Sequence, residues 1–521
     1  MKSDEPVLPQ SWPTVVDMLA AAAARAGQLE ALVCGAQRLD YASYLACVAG
    51  FAQELESLGA GGERVATLLG NSIEACIAAF ATLAAGAQQV PLNPLYTEHE
   101  LLPILQDAEP RVLIVDDASA AMATALARRL GIAHVIVVGA SARRLDAWRA
   151  GDIALRSQAQ PQALALLQYT GGTTGRAKGV DLTHAAIAIN VAQRESLLPS
   201  RRGERILCMM PLSHSYGMAM GLFYVANCAG TLVILPRYQA DEVLATVPRE
   251  RISVFPGSPT VFAGLLAHPD MARTDWRSVH TCYSGSAPLA AATLARWREA
   301  VGAPVYEGYG LTEAGPVLSF NPAGTEIRPG SVGIAAAQTE IQIVDAQSGE
   351  QVLPAGQCGE IRARGPQIMR GYRQRPQETA EALRHGWLYT GDIGEFDDDG
   401  YLYIRDRKKD MVIVSGYNVY PREVEDVLFA HADVGDAAVI GVPDDYRGEI
   451  LRAYVVLRAG AELSAEALLE HCRAHLASYK IPARLQFTLA LPKTNVNKTD
   501  KKVLRQLNPA VPGSPSRAPF R

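Results

Sequence analysis

The chain has no excess of basic charge: 49 Lys and Arg stand against 54 Asp and Glu, a formal net charge of −5 over 521 residues. A nucleic-acid partner is therefore not expected, because phosphate backbones are gripped by a basic face. Cysteine is sparse and scattered. The eight thiols, at Cys34, Cys47, Cys76, Cys208, Cys228, Cys282, Cys358 and Cys472, form no CxxC pair and no Cys/His spacing of a zinc site. A reducing, cytoplasmic setting is the expectation. The start, MKSDEPVLPQSW, has no apolar core, so no signal peptide is expected. Long hydrophobic runs are missing as well. The longest, residues 218–235, is interrupted by Gly221, Asn227, Gly230 and Thr231 and reads as a buried helix turning into a strand. Membrane association is then peripheral at most. What remains is a globular composition, 49% hydrophobic and 20% charged, long enough for about three compact units or fewer large ones.

Short β-branched runs alternate with Ala-rich helical stretches. Strand 65–69, helix 73–85 and strand 89–92 set a rhythm that recurs at strands 112–115, 135–138, 206–209, 232–235 and 279–283. This predicts a parallel α/β fold. Residues 141–162, rich in Arg, Ala and Gln, read as a surface connection. Beyond about Ser331 the character changes: 340–344, 360–364, 388–389 and 401–405 read as strands without intervening helices, with turns such as DDDG at 397–400. A charged run at 407–410 suggests a boundary. It is followed by helix 422–430, strands 436–442 and 453–457, and helix 464–475, a small α+β domain. Residues 508–521 hold four prolines and little apolar content, so a disordered tail is expected.

Residues 168–179, QYTGGTTGRAKG, bring together Thr170, Gly171, Gly172, Thr173, Thr174, Gly175 and Lys178. Glycines let backbone N–H groups approach an anion, hydroxyls add donors and Lys178 adds a point charge. That is the chemistry of a polyphosphate cradle. It is not a Walker A loop, since Lys178 follows Gly175 by three residues and no Ser or Thr comes after it. The plainer reading is a Gly/Thr turn after strand 164–167, which would not need two paired threonines and a lysine.

Further motifs follow in order: MPLSHSYGM with His214 and Tyr216, SGSAPL at 284–289, YEGYGLTE at 306–313, LYTGD ending at Asp392, GYLYIRDRKKDMVIVSGYNVYPREVE at 400–425, and LPKTNVNKTDKK at 491–502. As a set they resemble the adenylate-forming superfamily of acyl-CoA synthetases, carrier-protein adenylation domains and firefly luciferases, from about Ser11 to Arg505. GGTTG, IVSGYNVYP and the LPKT ending are most similar to fatty-acyl-CoA ligases.

The resemblance implies a large N-terminal domain (1–407, its β-rich part about 331–407), a hinge at 408–410, and a small mobile C-terminal lid domain (411–507). It implies two steps: a carboxylate attacks the α-phosphate of Mg-ATP, giving an acyl-adenylate and pyrophosphate, and a thiol, here CoA, then displaces AMP. Thr170–Lys178 would hold the β- and γ-phosphates, Glu313 the Mg²⁺ and Thr312 the α-phosphate. Gly285, Ser286, Ala287, Pro288, Glu307, Gly308, Tyr309 and Gly310 would form the adenine slot, with Tyr309 stacking on the base. Asp392 would accept the ribose hydroxyls and Arg407 would add a polar contact. Lys498 matches the catalytic lysine that bridges the carboxylate and the α-phosphate. Lys409 matches the hinge position, about which rotation exchanges Lys498 for Gly416 beside a pantetheine channel.

Each residue also has a bland reading. His214 is either a core histidine or a residue at the entrance between ATP and the acyl pocket. Asp392 could cap the nearby hairpin. Lys498 lies in an exposed basic run, and only the resemblance singles it out. His184 and Cys208 are assigned to structure. One departure stands out: Asn497 occupies the position before the lysine where the family has Gly, and Asn tolerates left-handed backbone better than other side chains.

The acyl pocket is expected from residues 210–223, 255–262, 284–286 and 308–320. No Arg, Lys or Asp falls within 255–262, which disfavours an amino-acid substrate. Medium- or long-chain fatty acids lead and aryl or cinnamyl acids follow. An acyl-AMP ligase that loads a carrier protein is the alternative within the fold, and a non-catalytic nucleotide-binding sensor the alternative outside it. A homodimer is left open.

Overall fold

The computed structural model describes residues 8–9, 11–139, 144–149, 154–170, 177–414, 417–444, 447–493 and 499–507. Gly171, Gly172, Thr173, Thr174, Gly175, Gly416, Asn497, Lys498 and the expected tail at 508–521 lie outside them. The chain divides into two compact units: Met1–Gln342, Arg362–Thr390 and Asp399–Leu402 form the first, and Ile343–Ile361, Gly391–Asp398 and Tyr403–Arg521 the second.

Two large sheets carry the first unit. The seven-stranded sheet runs, edge to edge, Gly371–Tyr372, Lys178–Thr183, Leu164–Thr170, Gln88–Leu92, Arg64–Leu68, Val112–Asp116 and His134–Val138. Its last five strands are parallel, as the strand–helix–strand rhythm predicts. Helix Ile73–Ala84 starts where Ser72 accepts from Ala75 N, leaving Ala-rich turns thin enough to lie between layers. The nine-stranded sheet has the order Ile334–Ala335, Val317–Phe320, Val305–Gly310, Thr281–Ser284, Val254–Gly257, Arg205–Cys208, Thr231–Ile234, Glu30–Cys34 and Gln37–Asp40. Strands 205–208, 254–257, 281–284 and 305–310 are parallel. After 205–208 the chain steps to one side, to 231–234; after 254–257 it steps to the other, to 281–284. The crevice between strands 205–208 and 254–257 is thus a topological switch point, where open α/β sheets bind ligands.

One face of this sheet packs on an aromatic cluster. Phe255 and Phe262 meet Trp276 and Trp297 at ring-centroid distances of 4.7–5.8 Å, and all four are buried. This corrects one expectation: both phenylalanines of segment 255–262 belong to the core rather than to a pocket wall, because strand alternation turns Phe255 toward the helix layer.

Other differences have local causes. Residues 141–162 contain a helix, Arg144–Arg149, whose Trp148 stacks on Phe51 at 4.1 Å and donates to Glu54 Oε2. One buried indole docks a segment whose composition reads as solvated. The β-rich stretch beyond 331 holds one helix, Pro376–Ala382, started by a proline at its first turn. The apolar run 218–235 is a helix and a strand as expected, but Met218–Phe223 is wound as π-helix, a geometry frequent at functional sites.

The second unit holds helices Pro421–Ala430 and Ala465–His475 against the long antiparallel pair Val434–Asp444 and Gly448–Leu457, beside Val412–Val414, Tyr417–Val419 and Arg484–Phe487. Both long strands outrun their sequence signal, because Pro443 and Asp444 pair with Glu449 and Gly448 through backbone register that side-chain patterns do not report.

His184 is a buried structural residue. It is 1% exposed at the start of helix His184–Leu197, and burial holds its pKa at about 4, below the ordinary 6.5. The unfolded chain takes up the proton first, so the stability this residue supplies is complete above about pH 6.5 and is lost as the pH falls toward 4. Wild type should lose about 2 kcal/mol through His184 between pH 7 and pH 5. His184→Gln should lack that part of the acid limb, as urea midpoints at the two pH values would show. Parallel curves for both proteins would remove His184 from the account.

Candidate active site

The glycine loop joins two adjacent antiparallel strands, Leu164–Thr170 and Lys178–Thr183, with Thr170 opposite Lys178. The loop ends are therefore fixed on sheet residues. Gln168 donates to Ser213 O at 3.1 Å and Tyr169 to Asp107 Oδ2 at 2.6 Å. On the outer side, edge strand Gly371–Tyr372 pairs Tyr372 with Val180. Lys178, two residues from Val180 on the same face, comes to lie over the Tyr372 ring, 5.0 Å from its centroid. The Tyr372 hydroxyl donates to Glu313 Oε1 at 2.9 Å. Burial, then the neighbouring Glu313 carboxylate, push the Tyr372 phenol up, so it stays a donor. Lys178, Tyr372 and Glu313 thus form one chain of contacts from cradle to carboxylate.

Glu313 and Thr312 sit on the short 3₁₀ turn Thr312–Ala314 after strand Val305–Gly310. Thr312 Oγ1 is 3.4 Å from Ser215 Oγ. This brings the YGLTE and SHSYG motifs together at the ends of nearby strands. His214 Nδ1 accepts from Tyr216 N at 3.2 Å and caps helix Ser215–Gly217. One ring nitrogen is thereby committed as an acceptor, which places the neutral ring's proton on Nε2.

The residues expected to form the adenine slot come together at two strand ends. Ser284 pairs with Glu307 in the parallel ladder. Glu307 is 3% exposed, and its Oε1 accepts from Leu289 N at 2.9 Å, tying the 285–289 turn to the neighbouring strand. The glycines answer to packing: a Cβ at Gly308 would fall 2.3 Å from the Phe320 ring, one at Gly310 2.0 Å from Pro316 O, and one at Gly285 2.8 Å from the Tyr216 ring. Ser286 holds φ at 71°, a left-handed conformation that a side-chain-bearing residue rarely takes outside functional turns.

In the second unit Asp392 lies within strand Trp387–Phe396, so it does not cap the 397–400 turn, and its Oδ1 is 3.6 Å from Arg407 Nε. Lys408 Nζ meets Glu360 Oε2 at 2.7 Å, and Arg505 Nη2 meets Asp410 Oδ1 at 2.7 Å. Lys409 between them has its pKa lowered by burial and then by Arg407.

Several contributors have no motif signal. Tyr372 looks like an ordinary aromatic in GYRQ, and only strand pairing aims it at Lys178 and Glu313. Asn190 and Gln193 are polar residues in an apolar helix. Asn190 exchanges bonds of 2.8 and 2.9 Å with the backbone of Val317, and Gln193 donates to Ala337 O at 2.9 Å, fixing the strand that backs Gly308 and Gly310. Polar residues three apart in such a helix are the one clue the sequence offers.

A family model described as AMP-binding enzyme matches residues 19–373, and one described as AMP-binding enzyme C-terminal domain matches residues 423–498. The chain belongs to this family of adenylate-forming, AMP-binding enzymes. It is 37% identical over 472 residues to a long-chain-fatty-acid–CoA ligase of Bacillus subtilis (strain 168), with 84% of each chain covered. It is 36% identical over 480 residues to a feruloyl-CoA synthase of Amycolatopsis sp, covering 91% of this chain and 94% of that one. The crystal structure of the anthranilate CoA ligase AuaEII in complex with anthranoyl-AMP superimposes with a TM-score of 0.89 at 28% identity, over 96% of this chain and 98% of that one. The α/β architecture expected for this family is the one observed. Among the described residues no helix is long and apolar enough to cross a membrane.

Proposed function

We propose that the chain is an acid–CoA ligase that activates an apolar carboxylic acid through an acyl-adenylate and releases AMP and pyrophosphate. The observation that carries this reading is the contact chain Lys178–Tyr372–Glu313 set beside the Thr312–Ser215 pair. It supports the reading because a cation, a hard oxygen donor and two hydroxyls, the groups a polyphosphate and its metal call for, are joined by direct contacts. Residues fit Mg²⁺: a single oriented carboxylate, completed by phosphate oxygens and water, is how this ion is usually taken. Glu313 would hold it, and Tyr372 fixes the carboxylate through its hydroxyl. The ion, when bound, would neutralise charge on the departing phosphates.

The chain's own groups supply the rest. Thr170 and Lys178, with the glycines and threonines between them, orient the β- and γ-phosphates. Thr312 donates to the α-phosphate, and the slot at 285–288 and 307–310 takes the base. Asp392 and Arg407 serve the ribose side, and Lys498 draws the acid's carboxylate onto the α-phosphate. Fatty acids are the substrates in the Bacillus subtilis relative's name, and aromatic acids in the names of the other two proteins. CoA is the thiol in all three.

The test is pyrophosphate release with a panel of fatty and aryl acids, followed by thioester formation with and without CoA. Acid-dependent release and CoA-dependent thioester support the reading. Nucleotide binding without release would make the chain a sensor, and thioester only on a carrier protein would make it an acyl-AMP ligase. Domain alternation about Lys409 has its own prediction. Gly416→Leu should spare pyrophosphate release and reduce acyl-CoA formation at least tenfold, because the added side chain blocks the pantetheine passage. Equal loss in both half-reactions, in a folded protein, would overturn alternation.

A further inference from the structure

Helix His184–Leu197 carries a buried arginine that the phosphate chemistry does not use. Arg194 is 2% exposed. Its guanidinium lies between two tyrosine rings, 3.9 Å from the centroid of Tyr224 and 4.8 Å from that of Tyr283. It donates to the Tyr283 hydroxyl and pairs with Glu195. Its Nε has no hydrogen-bond partner among the described residues. This helix has thus buried a fully ionised side chain with one donor unspent.

The position of this group relative to the reacting end can be followed residue by residue. Thr312 touches Ser215. The next residue, Tyr216, lays its ring over Gly285, and its hydroxyl is 3.3 Å from both Gly257 O and Tyr283 O. Strand alternation then decides the faces. Cys282 enters the tryptophan cluster, whereas Tyr283 points the other way, toward Tyr224, Phe320 and Arg194. Tyr224 begins the helix that continues the π-turn of Met218–Phe223. The segments expected to wall the acyl pocket, 210–223, 284–286 and 308–320, therefore supply a continuous run of contacts from Thr312 to the buried Tyr283–Arg194–Tyr224 stack.

We propose that Arg194 and Tyr283 form the far wall of the acyl pocket and select a compact acid, aryl or short acyl, that carries a neutral acceptor oxygen at the end away from its carboxyl. The inference rests on the ligase reading above. Glu195 already balances the guanidinium, so a hydroxyl, ether or carbonyl oxygen suits the unspent donor better than a second carboxylate, whose charge would go uncompensated. The two rings beside the guanidinium suit a flat substituent. A long alkyl chain would have to part this stack and strand the arginine's donors against methylenes.

The experiment compares wild type, Arg194→Met and Tyr283→Phe by pyrophosphate release and CoA-thioester formation. The acids are benzoate, 4-hydroxybenzoate, a 4-hydroxycinnamate, terephthalate, octanoate and palmitate. Wild type should favour hydroxylated aryl acids over the unsubstituted parent at least tenfold in kcat/KM, and over terephthalate and palmitate by more. Arg194→Met should erase the hydroxyl preference through KM for the acid and raise activity on octanoate, with KM for ATP unchanged. Tyr283→Phe, which keeps the ring, should show part of the same shift if Arg194→Met folds poorly. The inference is overturned if palmitate is the best substrate of wild type, if the dicarboxylate is, or if both variants lose activity on every acid in equal proportion. Absence of acid-dependent pyrophosphate release in wild type would instead overturn the ligase reading itself.

Discussion

Lys498→Ala should reduce adenylate formation by about 10²–10³-fold while thioester formation from a supplied acyl-adenylate stays near wild type. A preorganised donor aimed at charge that develops in the transition state is worth that much when removed. In the proposed mechanism the ammonium would be needed where carboxylate and α-phosphate approach each other as like charges; once the adenylate exists, that repulsion is gone. Two single-turnover assays check this, one following pyrophosphate and the other starting from synthetic acyl-adenylate and CoA. Equal loss in both would make the lysine, or its loop, a structural element. Lys493, Lys501 and Lys502 stand close by in sequence, so Lys502→Ala is the control, with no expected change in either assay.

The second large effect concerns what holds the end of the chain. Lys501 opens helix Lys501–Gln506, and its ammonium meets Glu425 Oε1 at 2.8 Å. Glu425 is 6% exposed and also accepts from Val439 N at 2.8 Å. Burial raises the Glu425 carboxyl and would lower the Lys501 ammonium, but the carboxylate, followed by Asp406, keeps Lys501 above its ordinary value. Lys501→Met leaves that carboxylate buried without its paired ammonium, with only the longer-range charge of Arg422 beside it, which should cost about 3–5 kcal/mol of the second unit's stability. The double change Glu425→Met with Lys501→Met should recover most of it, since a well-packed apolar pair replaces a buried ion pair at little or no loss. Urea unfolding of the full chain, followed by limited proteolysis to read the second unit, gives both values. A single variant within about 1 kcal/mol of wild type would show the pair to be solvated.

The parallel α/β order of the first unit could be read from the sequence because several of its parallel strands, such as Val112–Asp116 and His134–Val138, are short β-branched runs and helices such as Ile73–Ala84 and Ala120–Leu130 are Ala-rich. That pattern is local and survives without knowledge of the partner. The same holds for helices Pro421–Ala430 and Ala465–His475 in the second unit, found within one residue of the expected ends. Failures occurred where a single contact overrode composition. Trp148 docks a helix onto Phe51 in a stretch that reads as solvated, and Phe255 and Phe262 close a core that reads as a pocket.

The candidate site divides in the same way. The glycine loop, the YGLTE carboxylate, Asp392 and Lys498 are visible because their chemistry needs particular residue types at short spacing, which a linear sequence records. Tyr372, Asn190, Gln193 and Arg194 are not, because their roles follow from register and from which face of a strand or helix meets which neighbour. Sequence by itself determined the family and its reaction class, through motifs whose residue types and spacing resemble those of adenylate-forming enzymes. Only the tertiary structure decided how Glu313 is held and what surrounds the buried Arg194, because orientation and burial are set by residues distant in sequence: 59 positions separate Tyr372 from Glu313 and 89 separate Arg194 from Tyr283.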